Sequence, residues 1–157
     1  MVAEMISRAE HACDATTQTG PGRPTWCYGT PGLARAQQLA ALALGDTQRQ
    51  RRAEQALAGC LADEHQLAQL TDASLCHGWA GLLQTTWRVA ADARDPGRFD
   101  LPGLLHRTQR FLHDHGPPTD DLLDGVAGAR LAIHTITVST APASGWDACL
   151  LLDAGRS

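Results

Sequence analysis

Apolar positions recur along this chain at intervals of three and four, and the stretches they form share one entrance. Leu33 to Leu44, Leu82 to Ala93 and Leu131 to Val138 each follow a Gly-x-x-Gly: Gly29-Thr30-Pro31-Gly32, Gly78-Trp79-Ala80-Gly81 and Gly125-Val126-Ala127-Gly128. Leu82, Leu83, Thr86, Trp87 and Ala90 fall on one face at helical spacing. The first glycines stand 49 and then 47 residues apart. Recurrence at such a period marks an array of stacked units, here about three copies. The glycines at each entrance predict a non-standard backbone angle and the close approach of a neighbouring segment.

The sequence between the copies supplies returning helices. Thr30 is a candidate cap for a helix whose first position is Pro31 and which Gly45 stops. Thr47 is a candidate cap for the next, running to about Leu61, followed by a polar link, Thr71 to Ser74. Asp95-Pro96 ends the second repeat helix. A further helix spans about Leu101 to His113, and Gly116-Pro117-Pro118 terminates it. The third repeat helix starts near Asp124, and the short apolar tail from Trp146 to Leu152 is expected to pack on it. Ahead of the first copy, a short helix through His11 gives way to a loop from Thr16 to Gly22. Each unit thus reads as a helix pair.

Composition supports an all-α chain. Of 157 residues 43% are hydrophobic, only 4% are Phe, Trp or Tyr, and Ala and Leu are abundant, so helix formers outweigh strand formers. The length suits one domain, residues 1–157, with residues 1–20 irregular. A formal charge of −4 without a basic cluster argues against nucleic acid. No apolar run is long enough to span a bilayer. Met1-Val2-Ala3-Glu4 lacks the layout of a secretion signal, so a cytoplasmic location is expected.

Chemistry concentrates at the first two entrances. Five cysteines, an odd number, do not form a disulfide framework. Cys13, Cys60 and Cys149 have ordinary surroundings and read as packing residues. Cys27 and the Cys76-His77 pair directly precede glycines, and a repeat array places all such turns at one end of the stack. Two sulfurs and an imidazole nitrogen suit zinc, and three protein ligands leave a fourth position for water or substrate.

At these residues the chain resembles a known family. Trp26-Cys27-Tyr28-Gly29-x-Pro31-Gly32 and Cys76-His77-Gly78-x-Ala80-Gly81 look like the hallmark motifs of the lanthionine synthetase C-like (LanC) cyclases. Asp124 to Gly128 with Leu131, and the late Trp146-Asp147 with Leu150 to Leu152, look like that family's closing repeat and tail, so the resemblance covers about residues 20–153. It implies an α/α toroid with Zn2+ held by Cys27, Cys76 and His77. Arg23 and Tyr28 match active-site positions, the first as a cation beside a developing enolate. The implied activity adds a peptide cysteine thiol to dehydroalanine or dehydrobutyrine, forming the thioether rings of lanthipeptides. The implied partner is a dehydrated precursor peptide.

The family's toroid has seven repeats, roughly 340 residues at this period. The expectation is therefore a C-terminal portion or half with an open edge, or else a degraded remnant; an N-terminal half would rescue its solubility, and that half or a companion modification enzyme is an expected partner. The family's acid/base histidine and aspartate belong to earlier repeats. His11 lies in no Gly-x-x-Gly context, and His65, His106, His113, His115 and His134 fit exposed or packed helix positions. Two function classes follow: a zinc-dependent cyclase, and a zinc-binding helical-repeat module that binds a peptide or protein without turnover.

Overall fold

The computed structural model describes residues 22–116 and 119–153. The short helix expected through His11, most of the following loop, and Cys13 lie outside them. Every regular element among the described residues is helical. They are α1 (Thr30–Leu44), α2 (Thr47–Ala62), the single turn α3 (Glu64–Leu67), α4 (Trp79–Asp92), α5 (Leu101–Asp114) and α6 (Val126–Val138). Two 3-10 turns, Pro96–Arg98 and Trp146–Leu150, complete the set.

The three repeat helices form an inner row in which α4 touches both α1 and α6. The returning helix α2 packs along α1, and α5 packs against α4 and α6. The result is an arc of the α/α toroid type. No described helix is long and apolar enough to cross a membrane.

Two caps differ from the sequence expectation. Thr30 lies inside α1, whose cap position is Gly29 with no side-chain hydrogen bond. At α2 it is Asp46, one residue before Thr47, whose carboxylate accepts from the Gln48 and Arg49 N–H groups. A carboxylate reaches two orphan amides and suits the positive helix end, so the start moves to it.

Of the two roles expected of the glycines, close approach holds and the non-standard angle does not. Gly29, Gly78 and Gly125 have φ values of −96°, −111° and −106°, ordinary extended backbone. Close approach is what requires them. A Cβ at Gly32, Gly81 or Gly128 would run into the carbonyl oxygen of Trp26, Leu75 or Leu122, six residues earlier in each copy. The entrance turn folds back on the helix it starts, and only glycine leaves room.

α4 is the centre of the core. Leu82, Leu83, Thr86 and Ala90 are buried and Trp87 is half-buried, as the periodicity predicts, but Gln84, Thr85 and Val89 on the other faces are buried too. One cluster joins Leu57, Leu67, Leu82, Leu83 and Leu104. A second joins Leu75, Ala80, Ala129 and Ala132 to Leu150 and Leu152 of the tail. The tail therefore shares a core with α6 as expected, while its polar ties run elsewhere. The Trp26 indole donates to the Leu150 carbonyl at 3.0 Å, and Arg35 Nε to the Leu152 carbonyl at 2.8 Å. Gln84 and Arg88 donate to the buried Asp147 carboxylate, at 2.6 Å and 2.7 Å. The tail is bound to α1 and α4 and holds the segment that carries Cys27. Cys60 packs in the interior as expected, but Cys149 is exposed, because it sits on the outer side of the tail's 3-10 turn.

Candidate metal centre

The stack brings the three entrance turns side by side, and equivalent positions become neighbours. The residue two before the first glycine is Cys27, Cys76 and Leu123 in successive copies; the next is Tyr28, His77 and Asp124. The Cys76 N–H donates to the Leu123 carbonyl at 3.0 Å. The Tyr28 and His77 rings have centroids 6.4 Å apart, and His77 Nδ1 lies 3.4 Å from Asp124 Oδ1. A second tie fixes the pair from below, the His77 N–H donating to Ser74 Oγ at 3.2 Å.

Cys27, Cys76 and His77 each offer a ligand atom, and these atoms lie within 4.8 Å of one another. Ligand atoms around a tetrahedral zinc stand roughly 3.5–3.8 Å apart, given bonds of about 2.0–2.3 Å, so a modest closing of the three suffices. All three side chains are half-buried, open enough for an ion to enter. The donor set and its convergence fit a soft or borderline metal.

The electrostatics point the same way. Burial, the adjacent Cys27 thiol and the carboxylates of Asp124 and Asp72 push the Cys76 thiol up to about 11. Thiols crowded by each other and by carboxylates resist ionising, and a divalent cation among them inverts that logic. Tyr28 is raised above its ordinary value, chiefly by the charge of Cys27, with Arg23 opposing. Arg23 and Tyr28 are both exposed at the rim, so all five site residues expected from the sequence gather at one end of the arc. The other described histidines, His65, His106, His113 and His134 on their helices and His115 just past the end of α5, are exposed and outside the ligand group.

The sequence places Asp124 at the start of the third repeat helix and in the closing repeat, but gives it no part in the metal centre. The signal for it is its position: it directly precedes the third Gly-x-x-Gly, where the second copy has the candidate ligand His77. Around the first turn, Trp26, Tyr28, Leu33, Leu151 and Leu152 line a groove of about 390 Å3.

Comparison with known proteins bears on this centre. The family model described as lanthionine synthetase C-like protein matches residues 7–151. The chain belongs to that family. No curated protein and no solved structure matches it.

Proposed function

We propose that Cys27, Cys76 and His77 hold a zinc ion and that the protein joins a peptide cysteine to a dehydroalanine or dehydrobutyrine as a thioether. The observation that carries this reading is the convergence of two thiols and an imidazole, three ligands with a fourth position left for a substrate sulfur. Bound there, zinc would lower the pKa of a substrate thiol so that it reacts as thiolate at neutral pH.

The remaining work falls to the chain. In the addition the thiol releases its proton to solvent, the sulfur–carbon bond forms at the β carbon, the double bond opens, and a proton from solvent reaches the α carbon. Charge develops meanwhile on the carbonyl oxygen of the dehydro residue. Tyr28 stands beside His77 with a phenolic O–H able to donate to that oxygen, and Arg23 adds a fixed positive charge at the same rim. The groove along Trp26, Leu33 and Leu151 offers apolar surface to the flanking peptide. Tyr28 is 79% exposed, which favours a second reading in which the zinc-loaded rim binds a peptide without turnover.

The test is incubation of the zinc-loaded chain with a dehydrated, cysteine-containing peptide, alone and with preceding repeats supplied by a separate chain. Ring closure blocks alkylation of the peptide thiol, which mass spectrometry reads directly. Blocked thiol dependent on Cys27 and Cys76 is expected; an alkylatable thiol under every condition, with the peptide bound, supports the second reading instead.

A further inference from the structure

Three of the four most exposed large apolar side chains among the described residues, Leu151 at 81%, Tyr28 at 79% and Leu33 at 65%, line the groove of about 390 Å3 that Cys27 also lines. Leu151 is held there by its neighbours. Leu150 and Leu152 are buried, and their carbonyls accept from the Trp26 indole and the Arg35 guanidinium. The residue between them takes left-handed backbone, φ 54° and ψ 33°. That conformation is strained for a leucine, whereas asparagine or glycine adopts it more readily. An outward leucine gains little by burial, so stability does not account for it. Among the described lining residues only Arg35 is charged, and its guanidinium is buried against the Leu152 carbonyl and the Asp92 carboxylate.

We propose that Leu151 is a specificity-determining residue, forming with Leu33 an apolar subsite for the side chain next to the reacting cysteine of the peptide. This rests on the zinc reading above, because Cys27 is both a candidate ligand and a wall of the groove. A thiol at the fourth metal position therefore brings its sequence neighbours onto this surface. The occupant is the substrate peptide, which covers Leu151 and Leu33 only while bound. A leucine-sized apolar side chain there removes apolar surface of both partners from water. A polar side chain of the same size loses hydration against apolar walls and gains no partner for it.

Two synthetic peptides test this, alike except that their single cysteine is flanked by leucine in one and by asparagine in the other. Calorimetric titration of the zinc-treated chain should show the leucine peptide binding about tenfold tighter or more. Leu151→Asn should remove most of that preference and unfold at the parent's temperature or above it, because asparagine suits the left-handed backbone. A residue serving only stability would do the reverse, leaving the preference intact and lowering the unfolding temperature. Equal affinities in the parent, no binding of either peptide, or a preference that survives Leu151→Asn overturns the proposal. Metal analysis of the same samples tells the two readings apart. A chain that holds zinc and binds both peptides alike loses the subsite alone; one without zinc that still prefers leucine keeps the subsite and loses the ion.

Discussion

His77 and Asp124 hold the same place in successive copies, and their Nδ1 and Oδ1 atoms stand 3.4 Å apart. The third copy adds no residue to the candidate ligand group, yet it supplies a carboxylate beside the His77 imidazole. A carboxylate next to a metal-binding histidine orients the ring and raises its basicity, and removing one typically weakens metal binding about 10–100-fold. Asp124→Asn should therefore lower zinc affinity by about that factor in competition with a chelator, and Asp124→Glu should restore part of it. Affinity equal to the parent in Asp124→Asn would leave the third copy a purely structural part.

The two classes of glycine should respond in opposite directions. At Gly81 a Cβ meets the Leu75 carbonyl, whereas at Gly59, within α2, it meets nothing within 4 Å. Gly81→Ala should lose about 1–3 kcal/mol of stability through forced displacement. Gly59→Ala should gain about 0.4–1 kcal/mol by restricting the unfolded chain. Urea unfolding measures both, and a neutral Gly81→Ala would contradict the close-approach account of the entrance turns.

The tail's anchor makes a pH prediction. Burial alone would raise the Asp147 carboxyl, but hydrogen bonds from Arg88 and Gln84 outweigh it and hold the group below its ordinary 3.8. A folded pKa depressed in this way contributes stability above pH 3.8 that is lost as the pH falls through the lower folded value. Asp147→Asn should cost about 3 kcal/mol at neutral pH by leaving the half-buried Arg88 with only the exposed Asp153 carboxylate, 3.3 Å away. Its stability should fall less than the parent's as the pH drops from about 5 to about 3. Parallel curves for the two proteins would show that Asp147 is not the responsible group.

Much of this arrangement is legible in the sequence because it repeats. Gly-x-x-Gly followed by an apolar helix gives the inner row, and a repeat stack turns positions 49 and 47 residues apart into neighbours. That reasoning is sufficient to bring Cys27 to Cys76-His77. The polar interior escapes it. Arg35, Gln38, Glu54 and Gln84 are buried on helices whose periodicity marks them as solvent-facing. Arg35 pairs locally with Gln38 and Glu54 with Gln50, but Asp92, Val89, Asp147 and Leu152, which bind Arg35, Gln38 and Gln84, come from other helices and the tail, where no local pattern announces them. Asp46 displaces Thr47 as a cap for a smaller reason: both residue types are good caps, and the choice rests on one residue of backbone register.

The central claim is that Cys27, Cys76 and His77 bind one ion together. Metal analysis of the purified chain after dialysis, beside Cys27→Ala and Cys76→Ala, tests it most directly. The account predicts about one zinc per chain in the parent and almost none in either variant, with helical circular dichroism retained in all three. A parent chain that takes up no zinc when offered it, or variants that keep the parent's stoichiometry, would contradict it.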